Sequence, residues 1–272
     1  QKTAYEIMPS LVGSEMCIRD RLREAPLKYT ANLVYFVGCA TAFRAQNRAI
    51  ASSIAQILNY FKEDWTLLGD KEWCCGSPVM MVGDEETAKE FAEHNVEVIE
   101  ETRADTVVVG CASCYRMLRW EYPTLLRRRP KFEVLHITEL LNKYLEEGKL
   151  KLTKSDIPVT YHDPCELSRL GGVIKEPRKI LKALTSNFVE IPEHGKDTRC
   201  CGGGGLLQAI DNDLRIKIGV KRIRQAENIG AKIITSACPS CKLTLLDAAK
   251  SVGSGIEVLD IVELLAKQLA SK

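Results

Sequence analysis

Short apolar runs alternate along the chain with longer stretches whose apolar residues recur every three or four positions. Asn32–Val37 is the first run with strand character, and a helical segment follows near Arg44–Phe61. Trp65–Leu68 reads as a short strand, Cys74-Cys75-Gly76 as a loop, and Glu85–Thr102 as a helix with one apolar face. Thr106–Val109 is built only of threonine and valine and ends at Gly110-Cys111. A short helix is expected after Cys114, then a strand at Phe132–Leu135 and a helix at Thr138–Leu145. Strands are expected again at Val159–His162, Phe188–Ile191, Ile233–Thr235 and Glu257–Leu259. Such alternation predicts an α/β architecture, with mainly parallel sheets flanked by helices. The cysteines fall just after the carboxyl ends of the strands, where open α/β sheets place their ligands.

The pattern occurs twice. Cys39, Cys74 and Cys75 recur as Cys165, Cys200 and Cys201 at an offset of 126 residues, and Cys111 and Cys114 recur as Cys238 and Cys241 at 127. The context repeats as well: FEVLHITELLNKYL at Phe132–Leu145 answers IEVLDIVELLAKQL at Ile256–Leu269. The period is too long for a solenoid unit, so each copy is a small domain. We read two homologous domains related by internal duplication, at residues 31–147 and 157–270. A charged linker lies between them at Glu146–Ile157, and residues 1–30 form an N-terminal linker or non-native segment.

Composition narrows the function. The chain has 272 residues, 45% apolar and 27% charged, ample for a packed core. With 38 basic and 36 acidic residues the net charge is +2, which argues against nucleic acid as a partner. No apolar run is long enough to span a bilayer. Residues Gln1–Arg21 lack the charged-then-apolar order of a signal peptide, and LVGSEMCIRD within them resembles a translated sequencing-adapter artefact. Cys17 is therefore set apart, and a domain upstream of residue 22 is as readily lost as absent. Without an export signal the expected setting is the cytoplasm, directly or at a membrane through a partner subunit. There, clustered cysteines bind metal more often than they form disulfides.

Each copy thus offers five cysteines. A C-x2-C pair brings two thiolates to one metal, and an adjacent Cys-Cys, with Cα atoms about 3.8 Å apart, can reach neighbouring metal atoms. Zinc needs four ligands, as does an ordinary iron–sulfur cluster, so five favours a larger cluster or an extra redox-active thiol. Structural zinc, with one thiol left over, and disulfides are the rival readings. Glycine follows each pair (Gly76, then Gly202–Gly205), which lets backbone N–H groups approach cluster sulfurs; Gly76, Gly202 and Gly203 are candidate cofactor-binding positions. A flexible turn before a helix is the plainer reading of Gly202–Gly205. No dinucleotide-binding fingerprint is present.

The residues Cys39, Cys74-Cys75-Gly76, Cys111-Ala-Ser-Cys114, Tyr161-His-Asp-Pro-Cys165, Cys200-Cys201-Gly202 and Cys238-Pro-Ser-Cys241 resemble the tandem CCG cysteine-rich domains of the heterodisulfide reductase B/D subunit superfamily. The resemblance covers essentially residues 31–270. It implies an iron–sulfur oxidoreductase subunit in which each set of five cysteines holds a noncubane [4Fe-4S] cluster and a disulfide is cleaved between the two. It equally accommodates an electron-transfer subunit of a flavin-dependent glycolate, lactate or glycerol-3-phosphate oxidoreductase. The partners implied are a ferredoxin-like iron–sulfur domain or subunit and a flavoprotein or membrane cytochrome. A zinc-stabilised module is the remaining alternative.

Single residues carry less. His162, three positions before Cys165, is a candidate ligand or proton donor, or orients the loop at a strand end; the first copy has Phe36 there. Asp163 is a candidate proton relay, or accepts backbone N–H bonds in the turn before Pro164. His94, His136 and His194 read as surface or packing residues. Trp73 either shields a cluster or belongs to the core. Arg127-Arg128-Arg129 is a solvated face or a dock for an acidic partner.

Overall fold

The computed structural model describes residues 25–270. Cys17 and the adapter-like stretch lie outside them.

Two parallel sheets form the framework. The first has the order β2-β1-β3-β4, with β1 at Leu33–Phe36, β2 at Trp65–Thr66, β3 at Thr106–Val109 and β4 at Glu133–His136. The second has the order β5-β6-β7, from Val159–Tyr161, Ile233–Ser236 and Glu257–Asp260. Every pairing is parallel, with Phe36 opposite Val109 and Tyr161 opposite Thr235. Strands β1 and β6 are buried along their whole length, as expected of parallel strands covered on both faces. Valine and threonine suit β3 because their branched side chains are stiff and pack well on a pleated surface.

One expected strand shrinks. Phe188–Ile191 contributes a single parallel bridge, Phe188 to Val159, where the first copy has β2. Pro192 has no N–H to extend a ladder, and the Glu190 carboxylate turns to Arg178 Nε at 2.7 Å. The helix expected after Cys114 also begins earlier. It covers Ala112–Arg116, so Cys114 sits in its first turn and Cys111 caps its start; Cys238 and Cys241 take the same places on Pro239–Ser251.

The two copies hold each other by exchanging their last helices. Ile137–Glu146, from the first copy, packs on Lys175–Leu184 of the second. Ile261–Leu269, from the second copy, packs on Arg48–Tyr60 of the first. Because Arg48–Tyr60 and Lys175–Leu184 are themselves counterparts, the contact is the same one made twice, like the self-complementary interface of a symmetric dimer. Ile50, Ile54, Ile57 and Leu58 give Arg48–Tyr60 a buried stripe at helical spacing. The exchanged helices start with matching capping boxes, His136 with Glu139 and Asp260 with Glu263. Buried side chains from both copies make one continuous core. A buried ion pair, Lys242 Nζ to Glu263 at 2.8 Å, also donates to the Gln46 carbonyl at 2.9 Å and ties the copies together. Among the described residues no helix is long and apolar enough to cross a membrane.

Candidate metal centre

Strand ends deliver the cysteines. Cys39 opens a short helix after β1, and Cys111 and Cys238 follow β3 and β6 directly. In a C-x2-C at a helix start, residues three apart lie one above the other, so both sulfurs face the same side. The Cys-Cys-Gly loops arrive from outside the sheets. In both, glycine takes a left-handed backbone, φ 85° at Gly76 and 94° at Gly202, which turns the chain so that its N–H points back at a sulfur. Gly202 N–H donates to Cys200 Sγ and Gly203 N–H to Cys201 Sγ, each at 3.3 Å. Gly76 N–H does the same for Cys74. A Cβ on Gly203 would lie 2.6 Å from Thr244 Oγ1 and 2.8 Å from the Ser240 carbonyl, so only glycine lets this loop lie against the helix that carries Cys241.

The ten sulfurs form one chain of neighbours. In the first copy Cys39 is hydrogen-bonded to Cys74, Cys74 to Cys75, Cys75 to Cys114 and Cys114 to Cys111. In the second, Cys165 meets Cys200, Cys200 meets Cys201, Cys201 lies 3.3 Å from Cys241, and Cys241 meets Cys238. The sets join where Cys111 meets Cys238 across the seam between the copies. The charge pattern repeats at the Cys-Cys pairs and breaks at the seam, where hydrogen bonds from Cys111 and Cys241 pull Cys238 well down while its counterpart Cys111 is pushed up. A hydrogen bond from Cys39, then one from Cys75 and one from Gly76 N–H, pull Cys74 down to about 3. Hydrogen bonds from Cys165 and Cys201, with N–H groups of Gly202 and Gly204, pull Cys200 down to about 2. Their neighbours Cys39 and Cys75 are pushed up, since a thiol beside a thiolate resists losing its own proton. Each set therefore has at least one thiol acidic enough to ionise at neutral pH.

His162 faces the second set. Its ring lies in a group with Cys201 and Cys241 whose ligand atoms are all within 4.8 Å of one another. Nδ1 accepts from Arg222 Nε at 3.3 Å, and Nε2 has no partner among the described residues. Burial, then the Arg222 charge, lower its pKa to about 4, so the ring is neutral. Asp163 does different work. Both its oxygens receive Arg178 at 2.8 Å, and Oδ2 also takes Gly195 N–H at 2.8 Å. A carboxylate so engaged anchors the loop that leads to Cys165.

Several residues near the thiols carry no distinguishing signal in the sequence. Asn47, fully buried, donates through Nδ2 to the carbonyls of Ala40 (2.9 Å) and Pro239 (3.1 Å), strapping together residues beside Cys39 and Cys238. Asn95 holds the first Cys-Cys loop, accepting Trp73 N–H and donating to the Cys74 carbonyl, each at 3.0 Å. Trp73 stacks on His94 with ring centroids 3.7 Å apart and is half-buried, a packing partner of this loop. His136 is not a surface residue. It is fully buried, caps the helix that follows it, and leaves Nε2 unpartnered among the described residues. Its correspondence with Asp260 in the repeated motif, each three residues before a glutamate, is the signal that marks both as caps.

The family model of the CCG cysteine-rich domain matches residues 33–119 and again 159–246. The chain belongs to that family. Among curated proteins, the D subunit of the dihydromethanophenazine:CoB–CoM heterodisulfide reductase of Methanosarcina acetivorans is 39% identical over 260 residues, which is 92% of this chain and 63% of that protein. Its counterpart in Methanosarcina barkeri is 37% identical over the same shares. The EtfAB:quinone oxidoreductase of Syntrophomonas wolfei is 30% identical over 244 residues, 86% of this chain and 34% of that protein. The chain thus spans under two thirds of the length of these relatives. Its two CCG copies account for the twofold repeat of sheets, loops and thiols.

Proposed function

We propose that the chain is an iron–sulfur oxidoreductase subunit, with domains 31–147 and 157–270 each holding one cluster. Cys39, Cys74, Cys75, Cys111 and Cys114 are the ligands of the first, and Cys165, Cys200, Cys201, Cys238 and Cys241 those of the second. The observation that carries this reading is the run of ten neighbouring thiols, five per copy with the same internal order. Five soft donors in each set suit iron and sulfide; tetrahedral zinc would leave one idle in each copy. The relatives named for iron–sulfur and heterodisulfide chemistry point the same way. When bound, such clusters supply one-electron transfer at a potential tuned by hydrogen bonds to their sulfurs. The chain's share is to ligate, to hold geometry through Asn47 and Asn95, and to direct the N–H groups of Gly76, Gly202 and Gly203 at sulfur.

The finer reading is reduction of a disulfide, of the heterodisulfide kind, in the seam. Both sets reach that seam, because Cys111 and Cys238 meet there. Buried polar atoms without partners among the described residues include Tyr35 OH, Tyr161 OH, His136 Nε2 and Asp260 Oδ2. Each copy supplies one tyrosine and one helix cap to this group, and burial, then the nearby Glu72 and the other copy's Asp260, push the Tyr35 hydroxyl up. Such atoms are costly unless a ligand satisfies them. Cleavage of R–S–S–R′ takes two electrons and two protons and gives two thiols. The test is electron paramagnetic resonance of the oxidised, anaerobically prepared chain with and without added thiol. A signal altered by thiol is expected. An iron-loaded chain whose signal ignores thiol and disulfide is instead an electron-transfer subunit serving a flavoprotein.

A further inference from the structure

The helix that begins at Cys111 leads from the first thiol set to the surface. Ala112–Arg116 runs into a π turn, Met117–Glu121, and then Tyr122–Leu125. Trp120 stands six residues beyond Cys114, about 9 Å along the helix axis. Its ring is 51% exposed, with the Arg119 guanidinium 5.7 Å from its centre. It borders an open groove of about 540 Å³ whose other wall is Arg129–Val134. Five cations fall between Arg119 and Glu133, against two carboxylates. Glu121 pairs with Arg116, and Glu133 lies near Arg119 and Lys143. Arg127, Arg129 and Lys131 are exposed and, among the described residues, have no ion-pair partner. In a chain with net charge +2 this is a local excess of positive charge.

The second copy is an internal control. At the offset that relates Cys114 to Cys241, Trp120 becomes Asp247, which is committed to Arg215 at 2.7 Å. At the offset of the terminal repeat, the stretch corresponding to Arg127–Lys131 is Ser251–Gly255, which carries no charge. The helix there, Pro239–Ser251, is regular throughout. Both copies keep the cysteines, but the second copy's C-x2-C helix lacks the exposed tryptophan and the cations, and the second copy's π turn lies elsewhere, at Glu166–Leu170 directly after Cys165. π turns inside helices are frequent at functional sites.

We propose that this groove docks an acidic electron-transfer protein, its carboxylates on Arg127, Arg129 and Lys131 and an apolar side chain against Trp120. The groove is then the entry for electrons to the first cysteine set. The proposal rests on the iron–sulfur reading above. Each encounter hands over one electron and oxidises the donor by one; no bond or proton moves. A small contact suffices, because redox encounters are weak and brief and bury less than about 1,200 Å².

The probe is a small acidic ferredoxin, titrated in its oxidised form against the full chain with and without iron. Its rate of electron delivery to the iron-loaded chain is then followed by stopped flow. At low ionic strength the double variant Arg129→Glu/Lys131→Glu should weaken binding and slow delivery about tenfold, and high salt should erase the difference. Trp120→Ala should weaken binding at either salt. Lys250→Glu, on the corresponding helix end of the second copy, should change nothing. Patch variants that behave like Lys250→Glu, or a wild-type chain that does not bind the ferredoxin, overturn the docking proposal. Equal binding of a single-stranded oligonucleotide of the same net charge also overturns it, assigning the patch to polyanions. A chain that binds ferredoxin but holds no iron overturns the metal reading beneath it and leaves the surface intact.

Discussion

Cys75→Ala is expected to remove about half of the chain's iron, Cys201→Ala the other half, and the double variant nearly all of it. These two positions are corresponding links in the thiol run, each buried and each joining the Cys-Cys loop to the C-x2-C helix. Losing one sulfur from a buried site costs the metal-free fold about 1 kcal/mol, while a lost cluster also takes its own stabilisation with it, so structure is followed beside iron. Iron analysis and circular dichroism on the same samples check both statements. The run of sulfurs continues across the seam through Cys111 and Cys238, so a single centre shared by both copies is a definite alternative. It would appear as complete loss of iron in either single variant.

Arg178→Ala is expected to destabilise the protein by about 3–5 kcal/mol, because it leaves the Asp163 carboxylate buried without its cation. For a chain of this size that is a drop in Tm of about 10 °C. The Arg178 side chain is only 13% exposed and that of Asp163 not at all. The guanidinium also holds Glu190 and lies over the Tyr161 ring at 5.6 Å. Thermal unfolding monitored by calorimetry measures the effect. Adding Asp163→Asn to Arg178→Ala should recover part of the loss, since the buried charge is then gone. A change within about 0.5 kcal/mol, the range of surface substitutions, would mean that the pair is not buried as described.

Much of this is legible in the sequence because it is local or periodic. The duplication, the ten cysteines and strand β3 follow from spacing and residue type alone. The second-copy strand is shorter than its residues suggest. Phe188–Ile191 is strand-like in type, yet Pro192 and the Glu190–Arg178 pair end the pairing after one bridge. The C-x2-C helices start earlier than expected because cysteine is a weak helix signal, while a strand end followed by a cap fixes the helix start in space. The exchange of terminal helices is hidden for a different reason. Periodicity shows that Ile137–Glu146 has an apolar face, but not that the face belongs to the other copy. Asn47 and Arg222 are hidden likewise. Their roles rest on partners far along the chain, Pro239 in one case and His162 in the other.

The central claim is that these ten cysteines hold iron and sulfide. The most direct measurement is iron, acid-labile sulfide and zinc analysis of the anaerobically purified chain. The account predicts about eight irons per chain with matching sulfide and no stoichiometric zinc. About two zincs per chain, with neither iron nor sulfide, would contradict it.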